Sequence, residues 1–460
     1  MNSILGERAT EGEMVRSVLI FSRHGDRTPK NLGTTRLTTL GKNQIYASGE
    51  FYRTRYLDSN STHFIKGISG RRYVEKEMFA STPDQQLLVQ SSQVFLQALY
   101  PPQTVTETLA DGTSVSSPDN GQQFPILHSV SSNSPDAIWL KGDDGCPRHD
   151  QSFEQFYASQ QFKDLAVSTK SFYESFTDVL QGLFPPDKIG YISAYPIFDY
   201  LNVGKIYNST IAKRVSNEDL DRLRYLADST EWAMNANITT PTMPNPISIS
   251  GSTLARAILT QLNPPATTTN STVKLSVLFG SYDTFLSFFA LTSLPSTSPS
   301  FYGLPVYAST IVFELVSYPS DSNMYVRFLF RNGTNPDSPL TEYPLFGRGG
   351  ESALMPYKEF YGSMDKIAIK NLDQWCKVCD SQEDVCQARD MPIDVQPAAV
   401  HPGMKPELAG GIGAICALAA VGIIVAALMV ILGFRFTKKE RKADEAKSCT
   451  SAEESVDVKA

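Results

Sequence analysis

A histidine between two arginines is the group in this sequence with the clearest chemical use. Arg23, His24 and Arg27 belong to the run Arg-His-Gly-Asp-Arg-Thr-Pro at positions 23–29. An imidazole can attack phosphorus and carry a phosphoryl group as a covalent intermediate, and two guanidinium groups supply paired donors for phosphate oxygens. Because the arginines carry the positive charge, the pattern predicts a phosphoryl-transfer site that needs no metal and no cofactor.

The elements around the motif place it at the end of a strand. An apolar run at 18–21 predicts a buried strand over 16–22 that ends at the motif, which argues against a chance surface loop. Apolar spacing predicts helices at 38–57, 85–100, 153–183, 217–234 and 252–262, and strands at 273–280, 310–316 and 324–330. Residues 103–245 are predicted to be an inserted, mainly helical region. The alternation indicates a layered α/β domain whose ligands bind at the carboxyl ends of strands.

Positions 22–29 resemble the signature of the histidine acid phosphatase family, branch 2 of the histidine phosphatase clan in the phosphoglycerate-mutase-like superfamily. The similarity continues through Leu-Thr-Thr-Leu-Gly at 37–41, Ser-Thr at 81–82 and Cys-Pro-Arg at 146–148, and it spans about residues 15–390. The chain looks like a fungal-type, membrane-anchored member. The resemblance implies a domain at 15–400 with a three-layer core sheet and a helical inserted subdomain.

By this resemblance, His24 would be the nucleophile and Arg23 and Arg27 would bind the phosphate. Asp283 matches the family's aspartate, the general acid that protonates the leaving group. The family also has an arginine before its Ser-Thr pair and a histidine before that aspartate, where this chain has Ala80 and Tyr282. A tyrosine at the pocket can donate one hydrogen bond to phosphate but carries no positive charge near neutral pH.

Two functions are therefore open. The first is a membrane-anchored acid phosphomonoesterase that acts on a small-molecule phosphomonoester through a phosphohistidine on His24. The second is a catalytically weakened phosphatase fold that binds a phosphorylated or other anionic ligand, which Ala80 and Tyr282 favour. We favour the enzyme, because the nucleophile and Asp283 are both present.

Some other side chains are possible replacements for the two missing groups. The histidines His63 and His149 are candidates, but each is expected to be a solvated loop residue. The cations that precede Ala80 closely enough to reach the pocket are Arg71, Arg72 and Lys76.

The charge balance excludes one class of partner. The net charge is -7 and the pI is near 5.4, and the body of the chain has no basic stripe. Nucleic acid is therefore not an expected partner.

A C-terminal segment is predicted to cross a membrane once. Residues 408–434 contain no charged side chain, and a bilayer needs about 20 apolar residues in a helix. The basic residues that follow the span are Arg435, Lys438, Lys439, Arg441 and Lys442. They predict a cytoplasmic tail at 435–460, because basic residues concentrate on the cytoplasmic side.

Glycosylation sequons and cysteines predict that the body is extracellular or in the secretory or vacuolar lumen. The five Asn-x-Ser/Thr sequons all precede the span, at Asn60, Asn208, Asn237, Asn270 and Asn332. The four cysteines outside the span and tail are Cys146, Cys376, Cys379 and Cys386. We expect two disulfides of undetermined pairing, with a zinc site as the alternative.

The N-terminus conflicts with this topology. Residues 1–16 are polar and lack the apolar core of a signal peptide. Taken literally, the body would be cytosolic and the protein tail-anchored. We favour the other interpretation, that the start of the chain as given is incomplete, because the sequons and cysteines independently indicate the lumen.

Overall fold

The computed structural model describes residues 12–238, 245–262, 273–349 and 353–387. Contacts divide the chain into a unit from Met1 to Asp390 and a second from Met391 to Ala460. The described residues all belong to the first unit, so the predicted span at 408–434 and the tail lie outside them. Within the described ranges, no helix is both long and apolar enough to cross a bilayer.

One mixed sheet has β1 near its middle. The ten strands are β1 (Met14–Arg23), β2 (Met78–Pro83), β3 (Thr106–Thr108), β4 (Ser114–Ser116), β5 (His128–Val130), β6 (Leu275–Gly280), β7 (Thr310–Tyr318), β8 (Asp321–Arg331), β9 (Thr341–Glu342) and β10 (Leu354–Pro356). The order in the sheet is β10-β8-β7-β1-β6-β2-β5, with β9 on β8, while β3 and β4 form a separate hairpin. The β1, β6, β2 and β5 strands are parallel to one another, and β7, β8 and β10 pair antiparallel.

Fourteen helices lie in the described part of the chain. They are α1 (Thr39–Tyr56), α2 (Gln86–Leu99), α3 (Pro147–Ala158), α4 (Gln160–Ser168), α5 (Lys170–Glu174), α6 (Thr177–Leu180), α7 (Ala194–Tyr207), α8 (Ser209–Arg214), α9 (Asn217–Asn235), α10 (Ile249–Gln261), α11 (Tyr282–Leu291), α12 (Tyr357–Ile367), α13 (Leu372–Cys379) and α14 (Asp384–Gln387). Short 3-10 helices connect several of them.

Successive side chains of β1 point to opposite faces of the sheet and therefore pack in two different hydrophobic clusters. Val18 and Ile20 pack with side chains of α1 and α2 on one face of the sheet. Leu19 and Phe21 pack on the other face with α10, α11, α12 and the helices of the subdomain. Burial of each large apolar side chain contributes about 1.5–3 kcal/mol. Helices on both faces of the central strand give the three-layer α/β core that was expected.

The predicted strands and helices flanking the motif are present, but the inserted region differs from the prediction. Its helical part forms α3 to α9. Residues 103–146 instead contain the β3–β4 hairpin, β5 and a 3-10 helix at Pro135–Trp139. Its many Gly, Pro, Ser and Asp residues disfavour regular helices there, because these residues favour turns. The short strand β2 was not predicted, since its Ser-Thr-Pro end lacks an apolar pattern.

The four cysteines that precede the predicted span form two disulfides, Cys146–Cys379 and Cys376–Cys386. This settles the pairing and contradicts the zinc alternative, because disulfide sulfurs are not free thiolate ligands. Trp375 reinforces the link, since its Nε1 donates a hydrogen bond to the carbonyl of Gly142 at 2.7 Å. The disulfide and this bond attach α13 to the turn at 142–146.

Removal of the two disulfides should have unequal effects. Cys146–Cys379 spans 233 residues and Cys376–Cys386 spans 10. A cross-link that closes a longer loop restricts the unfolded chain more, and a typical disulfide contributes about 2–4 kcal/mol. We expect Cys146→Ser/Cys379→Ser to lower the free energy of unfolding in urea more than Cys376→Ser/Cys386→Ser does. Equal losses would contradict the loop-length argument.

Candidate active site

Parallel pairing of β1 with β6 brings two distant segments together. Arg23, the last residue of β1, lies opposite Gly280, the last residue of β6. His24 therefore leaves the sheet at the same edge as Tyr282 and Asp283, which begin α11. This edge is the carboxyl end of parallel strands, where ligands bind in open α/β sheets.

His24 is buried, and a backbone carbonyl fixes the orientation of its ring. Its Nδ1 lies 2.8 Å from the carbonyl oxygen of Gly25. Since a carbonyl only accepts, Nδ1 carries the hydrogen and Nε2 keeps a free lone pair. Burial, followed by the charges of Arg23 and Arg27, lowers the pKa of His24 well below its usual value. The imidazole is therefore neutral and nucleophilic even in mildly acidic solution.

The motif loop packs directly against the start of α1. A Cβ on Gly25 would lie 2.3 Å from the carbonyl oxygen of Gly41, and a Cβ on Gly41 would lie 2.0 Å from that of Asp26. The Asp26 carboxylate accepts hydrogen bonds from the hydroxyls of Thr38 and Tyr207, each at 2.5 Å. The loop is thus held between α1 and α7.

Arg23 lies between two aromatic rings. Its guanidinium carbon is 5.2 Å from the centroid of Tyr282 and 4.7 Å from that of Tyr307, and its Nη1 donates to the carbonyl of Pro305. Cation–π contacts of this kind hold a buried guanidinium without neutralising it. The positive charge therefore remains available to an anion.

Arg27 has a protein carboxylate as its partner. It is fully buried, and its Nη2 lies 2.8 Å from Oδ1 of Asp199 on α7. The same guanidinium donates to the hydroxyl of Tyr195 at 3.1 Å. Asp199 also accepts a hydrogen bond from the backbone N–H of Lys30 at 2.8 Å. This ion pair connects the helical subdomain to the motif.

Both arginines still have a donor to offer. The Nε atoms of Arg23 and Arg27 are buried and have no hydrogen-bond partner among the described residues. An unsatisfied buried donor on a cation is costly. Two such donors beside the free Nε2 of His24 fit a tetrahedral anion such as phosphate.

Tyr282 occupies the position where the family resemblance places a second histidine. Burial raises the pKa of Tyr282 well above its usual value, so its hydroxyl stays protonated. This hydroxyl lies within hydrogen-bonding reach of the Glu231 carboxyl group. The cation next to it is Lys30, whose Nζ lies 4.9 Å from the centroid of the Tyr282 ring. Lys30 directly follows the motif, and it supplies a charge that Tyr282 cannot.

Asp283 lies beside a second lysine. Its Oδ2 is 3.6 Å from Nζ of Lys141, which comes from the turn before Cys146. Burial alone would raise the pKa of Asp283, but Lys141, a hydrogen bond with Asp143 and Lys30 outweigh burial and hold the pKa below its usual value. Asp283 is therefore a carboxylate in mildly acidic solution.

Position 80 is an alanine in the interior of β2. Ala80 is fully buried among the side chains that pack against α1 and α2, and it lies opposite Val277 in the middle of β6. It supplies no cation to the site, so the hypothesis of a weakened pocket stays a prediction at this position.

The proposed substitutes for the missing groups also differ from expectation. His63 and His149 are 6% and 3% exposed, so they are not solvated loop residues. Nδ1 of His149 lies 3.1 Å from the carbonyl oxygen of Pro246. The cations suggested to reach the pocket (Arg71, Arg72 and Lys76) are exposed at the surface.

Several residues of the site were missed in the sequence. They are Lys30, Lys141, Asp143, Tyr195, Asp199, Glu231 and Tyr307. Only Lys30 and Lys141 could have been found from the sequence, because Lys30 directly follows the motif and Lys141 lies shortly before Cys146. In the described ranges, no group of three His, Cys, Asp or Glu side chains is arranged to hold a metal ion.

Comparison with known families agrees with this geometry. The profile of the histidine phosphatase superfamily (branch 2) matches residues 31–331, a range that begins just after the motif. The chain belongs to this family. By family it is a phosphoric monoester hydrolase.

Individual relatives are distant but extensive. The chain is 23% identical over 398 residues to the prostatic acid phosphatase of Homo sapiens, covering 84% of this chain and 93% of the relative. It is 23% identical over 381 residues to the lysosomal acid phosphatase of Xenopus laevis, covering 79% of each. The phytase structure from Citrobacter braakii superposes with a TM-score of 0.54 at 13% identity, covering 78% of this chain and 99% of the phytase. That superposition supports the fold.

The ion pair between Arg27 and Asp199 predicts how the site responds to phosphate. Asp199→Asn leaves the buried charge of Arg27 without its counter-ion, which typically costs about 3–5 kcal/mol. Phosphate can replace that counter-ion, and a ligand that binds only the folded state stabilises it. We expect a lower melting temperature for the variant, and a larger rise on addition of inorganic phosphate than for the unaltered protein.

The matched control is Asp178→Asn, which breaks the largely exposed pair with Arg214. Exposed pairs contribute about 0–1 kcal/mol, so this variant should melt near the unaltered protein and respond to phosphate in the same way. If phosphate stabilises all three proteins equally, Asp199 does not compete with anions at the site.

Proposed function

We propose that the protein is an acid phosphomonoesterase that acts through a phosphohistidine on Nε2 of His24. The observation that carries the proposal is the orientation of His24, with Nδ1 held by the Gly25 carbonyl. The unpartnered Nε atoms of Arg23 and Arg27 supply the donors that such a reaction requires.

The reaction proceeds in two steps. Nε2 of His24 attacks phosphorus while the bond to the leaving oxygen breaks, and that oxygen takes a proton that the buried carboxyl pair of Asp283 and Asp143 delivers through Asp283. Water then attacks the phosphohistidine, returns one proton to this carboxyl pair, and releases phosphate and the neutral imidazole. Arg23 and Arg27 balance the charge on the phosphoryl oxygens in both steps.

The charge of the site favours a small substrate. Carboxylates of Asp199 and Asp283 lie among the cations, whereas burial raises the pKa of Glu231 to about 7, so that Glu231 is uncharged in mildly acidic solution. Phytases are among the structures that share this fold, but inositol hexakisphosphate carries six phosphate groups. Carboxylates next to the arginines would repel the extra phosphates, so we infer a monoester with one phosphate group.

A second function is supported by the same ion pair. Asp199 already occupies the fork of Arg27, and Tyr282 stands in place of the family's second histidine. A protein with this arrangement would bind a phosphorylated or other anionic ligand and turn it over slowly or not at all. The two functions are separated by measuring turnover and binding on the same preparation.

The decisive test is hydrolysis of p-nitrophenyl phosphate between about pH 3 and pH 7. Removing a covalent nucleophile should reduce kcat to background, so we expect His24→Ala to be inactive. Since the pKa of His24 is lowered, the neutral nucleophile persists into acid and the acid limb of the profile should lie well below pH 6.5. A phosphorylated intermediate that is stable to alkali and lost in acid should be trapped on the unaltered protein alone.

His128→Ala is the matched control, because His128 is exposed and lies on β5, which β6 and β2 separate from β1 in the sheet. It should retain full activity. If the unaltered protein and His24→Ala are equally silent while phosphate still raises the melting temperature, the binding function replaces the enzymatic one.

We further propose that the body is extracellular or lumenal, with the span at 408–434 as its anchor and the tail at 435–460 in the cytoplasm. Two disulfides support an oxidising compartment. The asparagines of the described sequons (Asn60, Asn208, Asn237 and Asn332) are exposed and accessible to glycosylation. One relative is named a lysosomal acid phosphatase.

This topology predicts two results for the full-length protein expressed in a eukaryotic host. Treatment with an N-glycosidase should increase its electrophoretic mobility, and the protein should remain in the membrane pellet after extraction with alkaline carbonate. Replacement of the sequon asparagines by glutamine should remove the mobility change. A body in the cytosol would show no mobility change in either form.

A further inference from the structure

Three carboxyl groups surround the single ammonium group of Lys141. Its Nζ lies 3.4 Å from Asp143, 3.3 Å from Asp144 and 3.6 Å from Asp283. The side chains of Asp143 and Asp283 are only 13% and 14% exposed, whereas that of Asp144 is 56% exposed. Two of the three carboxyls are therefore largely withdrawn from water.

Each of the two buried carboxyls has one oxygen without a hydrogen-bond donor. Asp143 and Asp283 lie within hydrogen-bonding reach of each other, yet Oδ1 of each is buried without a donor. Two ionised carboxylates in contact would repel, and one lysine neutralises only one of them. A single proton between the two oxygens would satisfy both.

Five charged or titratable side chains face the pair. They are Lys141 and the largely exposed Asp144 from the same turn, Lys30 after the motif, His149 on α3 and Glu231 on α9. Lys30 and Glu231 interact with Asp283, which places Asp283 on the side of the pocket. The main partners of Asp143 are instead Lys141, Asp283 and Asp144.

The environments of the two carboxyls push their protonation in opposite directions. Asp283 lies in the first turn of α11 and faces Lys30 as well as Lys141, and these positive groups favour its ionised form. Together with the hydrogen bond from Asp143 they outweigh burial and hold the pKa of Asp283 below its usual value, whereas burial raises the pKa of Asp143 although Lys141 opposes this. In mildly acidic solution the single proton of the pair therefore lies on the side of Asp143. Asp283 alone would have none to give to a leaving group.

We propose that Asp143 is the proton reservoir of the active site and acts through Asp283 on the leaving-group oxygen. This inference rests on the proposed phosphomonoesterase function. As the bond from phosphorus to the leaving oxygen breaks, that oxygen takes the proton from Asp283, and the proton of Asp143 moves to Asp283. Water then attacks phosphorus and returns one proton to the pair. Asp143 does not touch substrate, so it is a positioning residue.

The test compares leaving groups in Asp143→Asn. The asparagine keeps the size of the side chain and can donate an N–H to Asp283, but it cannot pass on a proton. An alkoxide leaving group needs the proton far more than p-nitrophenolate does, and general acid catalysis contributes about 10²- to 10⁴-fold. We expect kcat for glycerol 2-phosphate to fall by about that factor, with less than about a tenfold loss for p-nitrophenyl phosphate.

Asp144→Asn is the matched control, because it removes a carboxylate from the outer side of the same lysine. It should change kcat for either ester by less than about twofold, since exposed charges contribute little. A comparable leaving-group effect in Asp144→Asn would show that the total charge around Lys141 matters and that a reservoir on Asp143 does not.

The dependence of kcat on pH separates a proton reservoir from a purely structural role, because loss of a structural contact would leave the basic limb of the profile in place. The active form carries the shared proton, so kcat falls as the pH rises through the pKa of the pair. Asp143→Asn leaves only Asp283, whose pKa is low, and the basic limb should move to lower pH. Lys141→Met removes the cation that favours ionisation, so the basic limb should move to higher pH. Limbs that stay in place in both variants overturn the proposal.

Failure of this inference can be distinguished from failure of the proposed function. If the unaltered enzyme is active and Asp143→Asn loses both esters equally, only the reservoir is wrong. If the unaltered protein and His24→Ala are equally inactive, the phosphatase function is wrong, and the catalytic use of the pair fails with it. Infrared spectra at about pH 5 locate the proton without turnover. A protonated-carboxyl band that persists in Asp143→Asn places the proton elsewhere and overturns the proposal.

Discussion

Parallel pairing between β1 and β6 is the constraint on which the site depends. The two strands are separated by about 250 residues of sequence, yet their last residues, Arg23 and Gly280, lie side by side. The motif leaves one strand and α11 begins after the other, so His24 and Asp283 reach the same edge. Apolar packing on both faces of β1 holds this register, because a shift by one residue would move every side chain of the strand into the opposite hydrophobic cluster.

Charge compensation in a dry pocket is the second theme of the structure. Arg27 pairs with Asp199, Arg23 lies between aromatic rings, and Lys141 is surrounded by carboxyls. Removing charges from water is expensive, so each cation has a partner within the protein. The partners come from the helical subdomain, α11 and the turn before Cys146. The inserted segments therefore provide the electrostatic environment of the motif as well as covering it.

The sequence predicted the parts of the molecule that depend on local pattern. The apolar runs of β1 and β6 and the periodic spacing of α1 all lie within short windows. Asp199, Tyr195 and Tyr307 are separated from the motif by more than 150 positions, and no periodicity connects them to it. The pairing of β2 with β6, which places Ala80 opposite Val277, was likewise outside what a short window of sequence can predict.

The disulfide between Cys146 and Cys379 affects the stage at which a newly made chain completes its candidate active site. It closes the turn that carries Lys141 and Asp143, and α13 is attached to that turn by the same bond. A chain whose thiols are still reduced has no covalent link between α13 and the turn that carries Lys141, the lysine that contacts Asp283. Maturation of the pocket is thus coupled to oxidative folding, and a newly made chain acquires its full geometry only where cysteines are oxidised.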